Sequence, residues 1–142
     1  MKKIKDLMHT RVVTVEMDDL LSTVREIFSH THFHHILVID KGRLKGMVSD
    51  RDLFKAISPN IGTAAELQRD RNTLKKRVHQ IMTRDPITLD PNAEIADAVS
   101  ILMTHSISCI PIVDALMQVR GIISWRDLLP ELIEQQEQCA PD

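Results

Sequence analysis

The chain has 142 residues, of which 43% are hydrophobic and 27% are charged. These values are typical of a folded globular protein and exclude a disordered chain. The net charge of −2 gives no general attraction to nucleic acid or to an acidic membrane surface, and no apolar run is long enough to cross a bilayer. We therefore expect a cytoplasmic protein with neither nucleic acid nor a membrane as its partner.

The first half of the chain predicts the order strand, helix, strand, strand, helix. A short strand is predicted near residues 12–15, and apolar residues at spacings of three and four predict a helix near 19–31. The runs "ILVID" and "KGMVS", which flank a turn at "KGR", predict two further strands. The closing helix begins at Ser49 in the phrase "GMVSDRDL", because Ser-x-x-Asp before an apolar run is typical of a capping box.

The polar stretch 58–77 follows as a partly helical linker. Its basic part, "RDRNTLKKR", is interpreted as a solvated face rather than a nucleic-acid patch, because acidic residues and a weak overall charge accompany it.

The second half repeats the first. A shift of 74 residues brings Met8 onto Met82, and a shift of 75 brings Ser49 and Asp52 onto Ser124 and Asp127 in the second phrase, "GIISWRDL". The sequence predicts a strand near 86–89, a helix near 93–105, strands at "IPIVD" and "RGIIS", and a closing helix. Between those two strands, "DALMQVRG" lacks the turn glycine of "DKGRLKG", so a looser loop is expected.

These observations predict an α/β (α+β) fold of two equivalent halves, each in the order β-α-β-β-α. The halves are expected at residues 1–57 and 78–135, with the linker at 58–77 and a polar tail at 136–142. The two cysteines do not indicate a disulfide framework: Cys109 is expected to be a buried thiol and Cys139 an exposed one in the tail.

This order of elements, closed twice by Gly-apolar-apolar-Ser-x-x-Asp, resembles the cystathionine-β-synthase (CBS) domain pair over about residues 4–133. The resemblance implies tandem CBS repeats related by a pseudo-twofold axis. It also implies a regulatory adenosine-ligand sensor that binds AMP, ADP, ATP or S-adenosylmethionine, forms a homodimer and acts on an unidentified effector protein. We find no motif of an enzyme, and Leu37 stands where the family usually has proline.

The chemistry of the repeated phrase agrees with this implication. A carboxylate is a pure acceptor with two oxygens, so Asp52 or Asp127 can accept hydrogen bonds from both hydroxyls of a ribose. The resemblance implies that each aspartate works with adenine contacts from the other half. The favoured cleft comprises Thr10, Val12, Val13, Phe33, His34, His35, Ser124, Arg126 and Asp127. The second cleft comprises Ser49, Arg51, Asp52, Arg84, Pro86, Ile87, Ile107 and Ser108.

The favoured cleft is chosen because Phe33 can stack on a base, whereas Ile107 offers only an apolar face. In the alternative interpretation both aspartates only cap helices, Phe33 belongs to the core, and the protein is a dimerisation module without a ligand. The segment "SHTHFHH" allows a third hypothesis, a metal-responsive protein that uses His30, His32, His34 and His35. We assign no metal site, because the segment crosses from a helix into a strand; phosphate contact by His34 and His35 or an inert surface is favoured instead.

Overall fold

The structure, a computed structural model, describes residues 2–139, with side chains described through Glu134. The helices are α1 (Ile4–Leu7), α2 (Leu21–His30), α3 (Asp50–Ala56), α4 (Gln68–Arg71), α5 (Ile95–Thr104) and α6 (Trp125–Cys139). The strands are β1 (Thr14–Glu16), β2 (His35–Asp40), β3 (Arg43–Ser49), β4 (Thr83–Arg84), β5 (Cys109–Val113) and β6 (Val119–Ser124). Two short 3₁₀ helices lie at Asn72–Lys75 and Val78–Gln80.

The predicted α/β fold class is confirmed, and two details differ from the predicted elements. The strand expected near 86–89 is absent, because only Leu89 pairs, through an isolated parallel bridge to Ile112. Helix α6 continues to Cys139, past the boundary at which the tail was expected. The rest of that tail, residues 140–142, and the thiol of Cys139 lie outside what the structure describes.

The chain forms two compact units, and their boundaries run through the predicted halves. The first-repeat unit is residues 13–86, and the second-repeat unit combines the described residues of 1–12 and 87–142. Each unit therefore contains the body of one repeat together with the opening segment of the other. Opening segment here means residues 3–12 of the first repeat and residues 77–86 of the second.

The first-repeat unit has a four-stranded sheet in the order β1-β2-β3-β4. Strand β1 is parallel to β2, and the remaining neighbours are antiparallel. Helix α2 presents Leu21 and Val24 to this sheet, as its apolar spacing predicts. The buried core consists of Val15, Leu21, Val24, Ile36, Val38, Val48, Leu53, Val78 and Met82. Its last two members come from the opening segment of the second repeat.

The second-repeat unit has a two-stranded antiparallel sheet, β5-β6. Its buried core consists of Ile4, Ile95, Ala98, Leu102, Ile110, Ile112, Ile123 and Leu128. Ile4 of α1 is fully buried in this core, and Val78 occupies the equivalent position in the first-repeat unit. The two opening segments are therefore integral to the cores.

Two glycines let the opening segments approach the sheets. A Cβ on Gly121 would lie 2.6 Å from the carbonyl oxygen of His9 and 2.8 Å from Met8 Sδ. A Cβ on Gly46, the equivalent residue, would lie 2.7 Å from Met82 Sδ and 2.8 Å from the carbonyl oxygen of Thr83. Both positions therefore require glycine for close backbone packing.

The predicted linker, residues 58–77, contains the single turn of α4 and the 3₁₀ helix Asn72–Lys75, and the rest of it consists of turns and irregular segments. Asp70 is buried within it. The Asp70 carboxylate accepts hydrogen bonds from Ser58 Oγ at 2.7 Å and from the backbone N–H of Leu67 at 2.7 Å. The hydrogen bonds from Leu67 and Ser58 lower the pKa of Asp70.

The β5–β6 loop is held by an aspartate instead of a glycine. Met117 adopts a left-handed backbone with φ of 62°, the conformation that glycine would otherwise supply. Asp114 Oδ1 accepts the backbone N–H groups of Leu116 and Gln118 at 2.9 and 3.0 Å, and Arg120 pairs with Oδ2. The expectation of a looser loop is wrong, because these hydrogen bonds fix the turn.

Candidate functional site

Both repeated phrases form the start of a helix, and both aspartates cap it. In the first-repeat unit, Ser49 Oγ accepts the backbone N–H of Asp52 at 3.1 Å, and Asp52 Oδ2 accepts the backbone N–H of Ser49 at 2.9 Å. In the second-repeat unit, Asp127 Oδ2 accepts from the Ser124 backbone N–H at 2.9 Å and from Ser124 Oγ at 3.1 Å. Each carboxylate is thereby held in a fixed orientation, Asp52 by a reciprocal capping box and Asp127 by two hydrogen bonds from Ser124.

The two carboxylates differ in a contact that the sequence did not reveal. His9 Nε2 lies 2.6 Å from Asp127 Oδ1. The backbone of His9 is fixed by reciprocal hydrogen bonds with Ile122 of β6, at 2.9 and 3.0 Å. Thr83 is the equivalent of His9 in the second repeat, and it pairs through its backbone with Met47. The one signal available in the sequence was this mismatch between histidine and threonine.

The difference changes how many acceptor sites each aspartate offers. A carboxylate has about four lone-pair sites. Three of these on Asp127 are used, by Ser124 N–H, Ser124 Oγ and His9, which leaves about one. Over the described residues of the first-repeat unit, Asp52 receives only the Ser49 N–H, which leaves about three. Asp52 therefore has more acceptor sites available than Asp127, whereas the sequence favoured the cleft that contains Asp127.

The predicted site residues are divided between the two units. The first-repeat unit contains Val13, Phe33, His34, His35, Ser49, Arg51, Asp52, Arg84 and Pro86. The second-repeat unit contains Thr10, Val12, Ile87, Ile107, Ser108, Ser124, Arg126 and Asp127. Thr10 and Val12 thus share a unit with Asp127, and Arg84 and Pro86 share one with Asp52. The grouping of residues from different units stays a prediction.

Among the first-repeat residues, Phe33 is 41% exposed and is not a core residue. Its ring is accessible for stacking. A groove of about 390 Å³ in the same unit is lined by Val13, Thr23, Glu26, Ile27, His30 and Thr31.

His34 and His35 lie beside the start of α3. His34 Nδ1 is 2.9 Å from Asp50 Oδ2. Burial opposes ionisation of Asp50, but hydrogen bonds from the His34 ring and the Arg51 N–H lower its pKa overall. The pKa of His35 is lowered because the ring is largely withdrawn from water. The positive charge expected for phosphate contact is therefore disfavoured on His35, and His34 is paired with Asp50.

The histidine segment does not converge on a metal site. His30 Nδ1 faces its own helix, 3.0 Å from the carbonyl oxygen of Glu26 and 2.9 Å from Ser29 Oγ. Over residues 2–134, whose side chains are described, no group of three His, Cys, Asp or Glu residues could hold a metal ion. The metal-responsive hypothesis thus has no ligand set in this part of the chain.

The cysteine and tryptophan near the second phrase are structural. Cys109 is a buried thiol that forms no disulfide, as predicted, and burial raises its pKa to about 12. It lacks the thiolate character that reactive cysteines need. Trp125 is half-buried and packs against the core of the second-repeat unit. No helix in the described part of the chain combines the length and the apolar composition that a membrane span requires.

This geometry defines a class of protein: two equivalent α/β repeats, each with a fixed carboxylate at the start of its closing helix. The CBS domain family model matches residues 4–59 and 78–134. The chain therefore belongs to the CBS domain family, and the predicted tandem CBS repeats are confirmed.

Similarity to other CBS proteins, in sequence and in structure, covers nearly the whole chain. The CBS domain-containing protein YhcV of Bacillus subtilis is 31% identical over 128 residues, which cover 90% of this chain and 84% of that protein. The crystal structure of CBSX2 in complex with AMP has a TM-score of 0.77 at 24% identity and covers 96% of this chain and 99% of CBSX2. The CBS domain pair of protein MJ0100, in complex with 5′-methylthioadenosine and S-adenosyl-L-methionine, has a TM-score of 0.76 at 22% identity, with coverages of 94% and 98%.

Proposed function

We propose that this CBS pair is a regulatory module that binds an adenosine compound through the ribose hydroxyls. The observation that carries the proposal is the placement of Asp52 and Asp127, each held at an equivalent position by the backbone N–H of the serine three residues before it. Two similar folds hold AMP or S-adenosylmethionine with 5′-methylthioadenosine, which share the adenosine group. Binding of this kind requires no bond-making step, so we assign no catalytic residue.

Regulation follows if the ligand binds one arrangement of the chain better than another. A ligand shifts a conformational equilibrium only by its difference in affinity for the two states. We infer that the change is read by an effector protein, and that AMP, ADP, ATP and S-adenosylmethionine are the compounds to test.

The first prediction concerns the two aspartates. Calorimetric titration with AMP, ADP, ATP and S-adenosylmethionine is expected to show binding of at least one compound to the unmodified protein. Asp52→Asn replaces one charged acceptor by an amide donor, so we expect roughly 10- to 100-fold weaker binding at that site, the effect of losing a charge-assisted hydrogen bond. Asp127→Asn should have a smaller effect, because fewer of its acceptor sites are available.

Asp97→Asn is the matched control. Asp97 caps α5 in the same way, with Oδ2 accepting the Glu94 N–H at 3.0 Å, but it lies outside the repeated phrase. It should leave ligand affinity unchanged. If the protein is folded and binds none of the four compounds, or if Asp52→Asn with Asp127→Asn binds normally, the ligand proposal is wrong.

A second candidate function, association of two copies, is supported by the exposed faces of the closing helices. Phe54 of α3 is 66% exposed, and its equivalent on α6, Leu129, is 50% exposed. Ile133 lies one turn further along α6 and is 57% exposed. Large apolar side chains at equivalent exposed positions are typical of a surface that becomes covered by a partner.

We expect the unmodified protein to be a homodimer by light scattering after size-exclusion chromatography. The double change Phe54→Ser with Leu129→Ser should reduce the measured mass to that of one chain at micromolar concentration, because it removes apolar surface from the interface. Met103→Ser removes a more exposed apolar side chain from α5, 75% exposed, and should leave the mass unchanged. A monomeric unmodified protein, or a dimer that survives the double change, would contradict this prediction.

A further inference from the structure

Asp52 and Asp127, the two aspartates proposed to bind ribose, differ because only Asp127 is in contact with a histidine, His9. A carboxylate only accepts hydrogen bonds, so the Nε2 atom of His9, 2.6 Å from Asp127 Oδ1, must carry a hydrogen. Asp127 is only about one-tenth exposed in its side chain, whereas that of His9 is 65% exposed. The imidazole therefore lies on the solvent side of a largely buried acid.

We propose that His9 is a positioning residue that gates Asp127 and makes ligand binding there depend on pH, an inference that rests on the proposed function. A ribose that offers two hydroxyls needs two acceptor sites, and Asp127 has about one left while His9 is bonded to it. Binding to both oxygens therefore requires the imidazole to move away. Asp52 has no such gate, because Thr83 stands at the equivalent position and offers no titratable ring.

The direction of the pH effect follows from the charge of the imidazole. Histidine side chains ordinarily change charge near pH 6.5. A protonated His9 holds the Asp127 carboxylate by a charge-assisted hydrogen bond, which is about twice as strong as a neutral one. A ligand must break a stronger contact at low pH, so binding releases a proton. Affinity at Asp127 should rise as the pH increases, and this increase caused by His9 should be absent at Asp52.

Other charged groups lie on the elements around His9. The remaining charged residues on the elements packed around His9 are Lys2, Lys3, Lys5, Asp6, Arg11, Arg120, Arg126, Glu131 and Glu134. Among the described atoms of the second-repeat unit, Lys2 pairs with Glu131, Lys3 pairs with Glu94, and Arg120 pairs with Asp114. Asp127 is the one acidic group of that unit recorded in contact with the His9 ring.

His9 can act as a gate because its backbone is held in place while its side chain is exposed. The reciprocal hydrogen bonds with Ile122 and the close approach to Gly121 fix its main chain against β6. Only the exposed ring is left to rotate. The gate therefore consists of one side-chain rotation, which leaves the surrounding sheet unchanged.

The experiment isolates each acid in turn and uses adenosine, which has both ribose hydroxyls and no phosphate. In an Asp52→Asn background, the affinity for adenosine is measured by calorimetry between about pH 5.5 and about pH 8, a range that spans the titration of histidine. We expect roughly a tenfold increase in affinity over this range, as loss of a charge-assisted hydrogen bond implies. His9→Thr in the same background should bind more tightly at the acidic end and show a flat pH profile.

A second experiment tests whether a histidine at the equivalent position, Thr83→His, makes binding at Asp52 depend on pH in the same way. In an Asp127→Asn background, Thr83→His should make binding at Asp52 more dependent on pH than it is with Thr83; the electrostatic effect of His35 on Asp52 is common to both proteins and cancels in the comparison. A structural role for His9 alone would lower stability without producing a pH-dependent affinity. His105→Thr, which alters an exposed histidine of the same unit, should leave the profile as it was.

The outcomes separate the gate from the proposed function. If adenosine binds but the pH profile is the same with and without His9, or if affinity falls with rising pH, the gate is overturned while the ligand proposal stands. If no adenosine compound binds to either background or to the unmodified protein, the proposed function fails and the gate fails with it.

Discussion

Gly121→Ala is expected to destabilise the second-repeat unit by about 2–3 kcal/mol, the cost of overpacking a well-filled interior. Its Cβ would lie 2.6 Å from the carbonyl oxygen of His9, and a backbone atom cannot give way as a flexible side chain can. Relief would require the opening segment to separate from β6, which would strain the reciprocal hydrogen bonds between His9 and Ile122. The free energy of unfolding, measured with urea, tests this expectation.

Two other glycines provide matched comparisons. Gly46→Ala should have a similar cost, because its Cβ would meet Met82 and the carbonyl oxygen of Thr83 at similar distances. Gly42→Ala has open space around its Cβ but a φ of +79°, so only the left-handed backbone is penalised, by about 1 kcal/mol. A change of less than about 0.5 kcal/mol for Gly121→Ala, the size of an ordinary surface substitution, would contradict the close packing.

The second large effect is expected for Ile4→Ala, with a loss of about 2–4 kcal/mol, as for other buried large-to-small changes. Ile4 is fully buried among residues of α5, β5, β6 and α6, although it lies only three residues from the start of the chain. The substitution leaves a cavity in the second-repeat unit. Unfolding followed by urea and by heat would measure the loss.

Two control substitutions, one at the residue equivalent to Ile4 and one at its exposed neighbour, show whether the loss comes from burial of Ile4. Val78→Ala removes one carbon fewer from the equivalent place in the first-repeat unit, so its cost should be about 1 kcal/mol smaller than that of Ile4→Ala. Lys5→Ala changes an exposed neighbour of Ile4 and should alter stability by less than about 0.5 kcal/mol. Equal, small effects for Ile4→Ala and Lys5→Ala would show that the opening segment does not belong to the core.

Much of the fold could be predicted because the repeat supplied each signal twice. The apolar spacing of "LLSTVREIF" and "EIADAVSIL" predicted α2 and α5, and the two Ser-x-x-Asp phrases fixed where α3 and α6 begin. These are local signals, since a helix face and a capping box each involve residues within a few positions of one another. They survive into the structure with changes of only a few residues at the ends.

The same pattern could not predict that each unit would contain the opening segment of the other repeat. Ile4 and Val78 occupy equivalent positions, so the periodicity cannot tell which repeat buries which residue. The bond between His9 and Asp127 was hidden for a similar reason, because it joins residues 118 positions apart and belongs to no motif. The absence of a strand at 86–89 depends on pairing partners, and only Leu89 finds one.

The exchanged segments also affect the order in which the chain can fold while it is being made. All of residues 13–86 are available to the first-repeat unit once Pro86 has been synthesised, because that unit is continuous in sequence. In the second-repeat unit, Ile4 can be buried only after Ile123 and Leu128 have been synthesised, because these residues share one core. Domains generally fold as units during synthesis, the N-terminal one first. We therefore expect residues 13–86 to fold before the second-repeat unit, because residues 1–12 of that unit are made early and its other residues are made last. Moving the first twelve residues to the far end of the chain would remove this delay.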